Sequence, residues 1–286
     1  MNGQPDPDKT HSQSSKGWDD WWREYETLFA AEEQRRCDRL QRLRDRFPAH
    51  AHLILTSVKP WLEPTPAAVE RLQGASRNDL DWLIKALADE RRKWFVADVA
   101  RRAELLPDEI CEPMLDAAVD ELDGSFNRRF VEPCTQVFGP RRVNEYLLAV
   151  LESGSDDHKT GAVSALYWAR MIILYRVSSP AGSPVKLKPE DADPESLAAH
   201  EALSDVWQRK RKLFLETFVW NENLDLRRNL IPSLNLDVGV YPDSHKPLVA
   251  RAIDIARRHP DGYIRRRLQV QLGEKHLIPP LPRRER

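Results

Sequence analysis

Four segments of the chain repeat one motif, a pair of arginines at the start of a predicted helix: Glu90-Arg91-Arg92-Lys93-Trp94, Asn127-Arg128-Arg129-Phe130-Val131, Leu226-Arg227-Arg228-Asn229-Leu230 and Ile264-Arg265-Arg266-Arg267-Leu268. The first two copies lie 37 residues apart and the last two 38, and the gap of 99 between them would hold two further units and an insertion. Repeats of this length are typical of stacked helical hairpins. The motif therefore predicts an all-α protein built as an α-solenoid.

Composition favours the same fold class. Glycine is scarce, with 11 residues in 286, and charged residues make up 31% of the chain. This combination is typical of helices with solvated outer faces and disfavours a β-sandwich or a Rossmann sheet. Lys and Arg number 44 and Asp and Glu 45, so the net charge is −1. A general nucleic-acid binder usually carries a basic excess, so the balance leaves only a local basic groove for such a function.

Cysteine usage and hydropathy predict a cytoplasmic protein that is not bound in a membrane. Cys37, Cys111 and Cys134 have no metal-ligand spacing and predict buried, reduced thiols. No segment approaches the roughly 18 apolar residues that span a bilayer. The polar residues from Met1 to Lys16 lack the apolar region of a secretory signal.

Helical periodicity and breaker residues divide the chain into six segments. They are a disordered tail (1–16), an N-terminal helical cap (17–76), helical repeats (77–176), a loop insertion (177–195), further helical repeats (196–276) and a mobile tail (277–286). The insertion is rich in Pro and Ser, and a loop of this length is usually functional or disordered.

Local patterns predict individual helix ends. The helix after the turn at 153–157 is expected to run to about Arg176, and one long helix from about Pro194 to Val219. Small residues in the first of these, Gly161 among them, permit a close approach between helices. Leu105 and Leu122 are assigned to apolar helix faces.

Capping residues and tryptophans add further expectations. Asn78 or Asp79 caps one helix, and Asn221 or Asn223 caps another. Trp18, Trp21 and Trp22 lie within one helical turn and predict a core cluster of the capping helix, with the alternative that one of them is exposed as a partner anchor.

Three turn sequences carry a resemblance to a known family. They are Ser155-Asp156-Asp157-His158-Lys159-Thr160-Gly161-Ala162-Val163, Pro260-Asp261-Gly262-Tyr263-Ile264-Arg265, and Asp123 ahead of Arg128-Arg129. The units from Asp79 to Gly273, about two thirds of the chain, resemble HEAT repeats, in which an acidic turn residue precedes the second helix of each hairpin and a basic residue follows near its start. Lys159 stands where arginine is commoner, and Pro133, Pro232 and the insertion depart from the pattern. The resemblance implies a stack of HEAT-like hairpins with an N-terminal capping helix.

The arginine pairs have two roles in such a stack. The first arginine of each pair is expected at a seam between helices, where its guanidinium satisfies carbonyl and carboxylate groups. The second points about 100° further round the helix. In that direction Arg92, Arg129, Arg228 and Arg266 would form a basic stripe on the concave surface. These four residues are the candidate partner-binding site.

The chain lacks the motifs of common enzymes and metal sites. It has no His-Glu-x-x-His, no Cys-x-x-Cys, no Gly-x-Ser-x-Gly and no glycine-rich phosphate loop. We therefore expect a non-enzymatic scaffold, without metal or cofactor, whose arginine-lined surface binds an acidic protein partner. One alternative is a nucleic-acid-binding protein, because small HEAT-like proteins include DNA glycosylases for alkylated bases; their motif residues have no match here. Another is an enzyme with its site on the 177–195 loop, for which the sequence offers no nucleophile–base pair.

Overall fold

The computed structural model describes residues 16–46, 48, 60–175 and 191–273. Within these ranges the regular structure consists of thirteen α-helices and short 3-10 turns, with one antiparallel bridge between Tyr175 and Ala192. The predicted all-α class is confirmed. Most of the predicted tail at 1–16, most of the insertion at 177–195 and all of the tail at 277–286 lie outside the described residues. No described helix combines the length and apolarity needed to cross a bilayer.

The chain divides into two compact units, Met1–Ile110 and Cys111–Arg286. The helices of the N-terminal unit are α1 (Trp18–Arg46), α2 (Pro66–Gln73), α3 (Arg77–Leu87) and α4 (Arg92–Ala100). Helix α4 forms the core of this unit, since every residue from Lys93 to Ala100 is buried and the helix contacts the other three. Trp18, Trp21 and Trp22 are all buried, so the predicted core cluster of α1 is confirmed.

Helix α3 begins with a capping box centred on a buried carboxylate. The N-cap is Ser76, and the prediction of Asn78 or Asp79 is wrong because Asp79 occupies the third helical position and accepts from the Ser76 backbone N–H at 2.9 Å. The Trp18 indole N–H and the Arg71 Nε also donate to Asp79, at 2.7 and 2.8 Å. Burial would raise the pKa of Asp79, but the hydrogen bonds from Ser76, Arg71 and Trp18 outweigh it and lower the pKa to about 2.

Nine helices make up the described part of the C-terminal unit. They are α5 (Cys111–Val119), α6 (Arg128–Phe138), α7 (Pro140–Ser153), α8 (Asp156–Trp168), α9 (Pro194–Glu201), α10 (Ser204–Trp220), α11 (Leu224–Leu230), α12 (Lys246–Arg258) and α13 (Gly262–Gln271). The pairs α7–α8, α10–α11 and α12–α13 each pack as a hairpin. Among the first helices of the three hairpins, α10 contacts both α7 and α12. Among the second helices, α11 contacts both α8 and α13.

Helix α8 crosses α5 at Gly161. A Cβ atom at this position would lie 1.9 Å from the Val119 carbonyl oxygen, so only glycine permits the crossing. The predicted close approach of helices is confirmed here.

Two predicted helix spans are wrong because tertiary hydrogen bonds end the helices early. Helix α8 stops at Trp168 and not near Arg176, and the next carbonyl, that of Ala169, accepts from the Asn144 side chain at 2.8 Å. The single helix predicted over 194–219 is two helices, α9 and α10. At the break Arg141 donates to the Ala202 carbonyl at 2.8 Å.

Predictions about the burial of single residues and about one helix cap are confirmed at some positions and wrong at others. Leu105 and Leu122, assigned to apolar faces, are 66% and 101% exposed. Cys111 and Cys134 are buried as predicted, whereas Cys37 is exposed on α1. Asn223, one of the two predicted caps of α11, is its N-cap and accepts from the Leu226 N–H at 3.0 Å.

Candidate functional site

The four candidate arginines do not share one environment. Arg92 belongs to the N-terminal unit and begins α4, where its guanidinium lies 5.8 Å from the Trp82 ring centroid and 3.7 Å from Asp19. Arg129, Arg228 and Arg266 belong to the C-terminal unit, on α6, α11 and α13.

Arg129 is fully buried, with 0% of its surface exposed. Helix α6 begins at Arg128, whose side chain is half exposed and pairs with Glu132, and the next position turns about 100° further round the helix into the core. The prediction that Arg129 lines an exposed surface is therefore wrong.

Arg228 connects two second helices. Its Nε and Nη2 atoms donate to the Asp261 carboxylate at 3.2 and 2.6 Å, while Asp261 caps α13 by accepting from the Ile264 N–H at 3.0 Å. The Arg228 guanidinium and the N–H groups of α13 lower the pKa of Asp261. The turn acid of one hairpin thus pairs with the second arginine of the preceding one, whereas the sequence assigned this role to the first.

The first arginines of these two pairs donate to the ends of the preceding helices. Arg227 donates from Nε to the Phe218 carbonyl at 3.2 Å, and Arg265 donates from Nη1 to the carbonyls of Pro260, at 2.7 Å, and His259. Both first arginines donate to backbone carbonyls as predicted, but they do so within their own hairpin and not between repeats. Such donation satisfies C-terminal groups that have no partner within their own helix.

Arg266 is exposed on α13 and makes no hydrogen bond or ion pair with another described residue. It lies on the basic hairpin formed by α12 and α13. Residues 246–271 contain seven Lys or Arg and two Asp, although the chain as a whole is nearly neutral. This local excess of positive charge is distinct from the predicted stripe, since of the four candidate arginines it includes Arg266 alone.

The second helices enclose an open groove of about 560 Å³, here called the α8–α11–α13 groove. Its lining includes Tyr167, Trp168, Arg228, Asn229, Tyr263 and Arg267. Tyr167 and Tyr263 are 48% and 43% exposed. Among the described residues that line the groove there is no carboxylate, histidine, cysteine or lysine.

Guanidinium groups stack on the aromatic rings of this groove. Arg170 lies 4.4 Å from the Tyr167 ring centroid and Arg267 lies 5.4 Å from that of Tyr263, whose hydroxyl also accepts from Arg267 Nε at 3.1 Å. Arg128 lies 5.7 Å from the Trp168 ring. Stacking holds these long side chains in place and leaves the groove both aromatic and cationic.

Neutral polar groups complete the lining and are already engaged. The Ser164 hydroxyl donates to Asn229 at 3.2 Å, the Asn229 amide donates to the Asp225 carbonyl at 2.9 Å, and the Trp168 indole N–H donates to the Gly124 carbonyl at 2.7 Å. These bonds fix side-chain positions around the groove. The arrangement suits binding of an anionic, partly apolar segment and supplies no acid–base pair for catalysis.

Two features of α10 and its surroundings, a basic run and a hydrogen-bonded histidine, were not predicted from the sequence. One is the unbroken basic run from Arg209 to Lys212, which was visible in the sequence and marks a second cationic region. The other is a relay in which Ser244 Oγ lies 2.9 Å from His245 Nδ1 and Glu216 Oε1 lies 2.9 Å from His245 Nε2. No sequence pattern links Glu216 to His245, because they come from different helices. The relay fixes the imidazole at the start of α12.

Among the described residues, no group of three His, Cys, Asp or Glu side chains is placed to hold a metal ion.

Comparison with protein-family models, curated proteins and solved structures finds no match to this chain. The resemblance to HEAT repeats therefore rests on the turn motifs of the sequence.

Proposed function

We propose that the C-terminal unit is a HEAT-like stack of helical hairpins and that the protein is a non-enzymatic scaffold. Its α8–α11–α13 groove would bind an acidic segment of a protein partner. The observation that carries this proposal is the groove's lining of exposed aromatic rings and guanidinium groups without a carboxylate. The order of contacts, with first helices on first helices and second helices on second helices, supports the stack.

The residue types in the groove are those that contribute most to protein binding. Tyrosine, tryptophan and arginine are enriched among the residues that dominate interface energies. Arg170 and Arg267 are held against Tyr167 and Tyr263, so less side-chain entropy is lost when they meet a carboxylate. Arg228 is already paired with Asp261, so Arg170, Arg266 and Arg267 are the cations we assign to the partner.

A second candidate is single-stranded nucleic acid, favoured by the two half-exposed tyrosines beside arginines. Bases stack on aromatic side chains while arginines contact phosphates. The near-zero net charge of the chain disfavours this candidate, because nucleic-acid binding draws most of its affinity from a basic excess.

Binding of two defined polyanions separates the candidates. Fluorescein-labelled poly-L-glutamate and oligothymidylate with the same number of charges would be titrated with the protein, and fluorescence anisotropy would report binding. We expect poly-L-glutamate to bind more tightly than oligothymidylate. Arg267→Glu and Tyr167→Ala should each weaken its binding, whereas Arg77→Glu, an equal charge change at an exposed site in the N-terminal unit, should not.

The opposite preference, for oligothymidylate with the same sensitivity to Arg267→Glu, would replace the first proposal with the second. No binding of either polyanion would remove both. Affinity purification from the native lysate with wild-type and Arg267→Glu baits then identifies the natural partner as a protein that only the wild type retains.

A further inference from the structure

A second cavity in the C-terminal unit, separate from the α8–α11–α13 groove, is lined by cations. It has a volume of about 480 Å³ and lies between α10 and the connector that precedes α12. Helix α10 contributes Arg209, Arg211 and Lys212, and the connector contributes Val240, Tyr241 and Pro242. We refer to it as the α10 pocket.

Arg211 is the unusual side chain of the α10 pocket. Its Nε atom is buried and has no hydrogen-bond partner among the described residues, and no ion pair joins Arg211 to any of them. A buried guanidinium N–H without an acceptor costs free energy, so native proteins normally provide one. Arg211 lines the pocket, so an oxyanion bound there would pair with a guanidinium that no described carboxylate neutralises.

The other charges of the pocket leave it positive. Arg209 pairs with Glu152 at 2.8 Å, and Lys212 lies 3.9 Å from Glu216, beyond hydrogen-bond distance. Asp205 is the one carboxylate among the described lining residues, and Arg141 already binds it through two contacts of 2.8 and 2.9 Å. The hydrogen bond from Arg141 lowers the pKa of Asp205 to about 2, so this carboxylate stays ionised and paired. Arg211 and Lys212 therefore lack a strong anionic partner.

The connector gives the pocket an apolar wall. Tyr241 is buried, and its hydroxyl donates to the Asn235 carbonyl at 2.8 Å. Burial raises the pKa of Tyr241, so the phenol stays neutral beside the cations. With Val240 and Pro242, the tyrosine suits the apolar part of a ligand whose charged end meets Arg211.

We propose that the α10 pocket binds a small phosphate monoester that carries an apolar or aromatic group. A guanidinium fork beside an ammonium group matches a doubly charged phosphate better than a singly charged carboxylate. A cavity of this size accommodates a small metabolite and not a folded partner. The site is independent of the groove and of the function proposed for it.

Isothermal titration calorimetry on the full chain at fixed ionic strength tests the assignment, with phenyl phosphate, inorganic phosphate and benzoate as probes. We expect saturable binding of one phenyl phosphate per chain, with weaker binding of inorganic phosphate, which lacks the apolar group, and of benzoate, which carries one charge. Arg211→Met should lower the affinity for phenyl phosphate at least about tenfold. Lys212→Met should lower it less, and Arg258→Met, at an exposed position of α12 outside the pocket, should leave it unchanged.

Circular dichroism of each variant shows whether it folds, and should Arg211→Met not fold, the exposed Lys212→Met decides in its place. Three results would overturn the site: no saturable binding of phenyl phosphate, equal affinity in wild type and the deciding variant, or an equal loss in Arg258→Met. Benzoate bound as tightly as phenyl phosphate would overturn the preference for phosphate.

Discussion

Asp79 is the buried carboxylate on which the start of α3 depends. Its pKa of about 2 in the folded protein lies below the value near 4 expected in the unfolded chain. A depressed pKa contributes stability that is fully present above about pH 4 and is lost as the pH falls towards 2. Asp79→Asn should therefore lower the free energy of unfolding of the N-terminal unit by about 1–3 kcal/mol at neutral pH and flatten its acid dependence.

Urea unfolding followed by tryptophan fluorescence at several pH values measures both effects. Asp81→Asn is the matched control, because Asp81 lies on the same helix but is 55% exposed and pairs only loosely with Arg77, at 3.6 Å. Equal acid dependence of stability in wild type and Asp79→Asn would contradict the assignment.

Gly161 tests the crossing of α8 over α5. Gly161→Ala would place a methyl group 1.9 Å from the Val119 carbonyl oxygen, and the two helices would have to separate. We expect a loss of about 1–3 kcal/mol or more in the free energy of unfolding, measured by denaturant titration. Gly262→Ala, in the first turn of α13, meets only the flexible end of Arg265 at 3.6 Å and should be neutral or slightly stabilising. A similar small effect for both substitutions would show that the crossing is looser than described.

At the scale of elements, the Arg228–Asp261 pair joins α11 to α13. Replacing Asp261 by Asn keeps an N-cap for α13 but removes the charge, and replacing Arg228 by Met removes the guanidinium. A double-mutant cycle of these two substitutions should give a favourable coupling that weakens as salt is added, because the Arg228 side chain is half exposed. Thermal unfolding of the four proteins measures it. Additive effects of the two substitutions would mean that the pair does not hold the hairpins together.

Helix positions followed from the sequence more readily than helix ends or side-chain directions. Apolar periodicity and capping residues predicted the helical class and narrowed the cap of α11 to Asn221 or Asn223, because both depend on residues close in the chain. The break between α9 and α10 depends on Arg141, 61 residues away from the Ala202 carbonyl that it binds. The burial of Arg129 depends on the start of α6, since a shift of one residue turns a side chain by about 100°.

The two candidate sites were also not predictable from local sequence patterns. The aromatic and basic residues of the α8–α11–α13 groove are spread over three helices, and no local pattern brings Tyr167 near Arg267. The basic run at 209–212 was present in the sequence, but only three of its side chains line the α10 pocket, and they have different partners. Arg209 reaches Glu152 on α7, Lys210 donates to the Leu166 carbonyl on α8, and Arg211 enters the α10 pocket.

At the scale of the whole molecule, charge balance limits how an acidic partner can be attracted. With a net charge of −1 the chain exerts no overall attraction on a polyanion, so binding must rely on the local excess of α12 and α13. Attraction of this kind acts over a Debye length of about 10 Å at 0.1 M salt, and added salt shortens it. The affinity for poly-L-glutamate should therefore fall steadily as salt is raised.

Arg266→Glu distinguishes the effect of local charge on polyanion binding from the effect of the net charge of the chain. Arg266 is exposed on α13 beside the groove residue Arg267, so its reversal should weaken poly-L-glutamate binding about threefold and reduce the salt dependence. Arg77→Glu changes the net charge equally but lies in the N-terminal unit, where the arginine is 83% exposed, and it should leave the affinity unchanged. Fluorescence anisotropy at low and high salt measures both variants. An equal loss in the two would show that net charge governs the binding, and the proposed groove would then have no specific part in it.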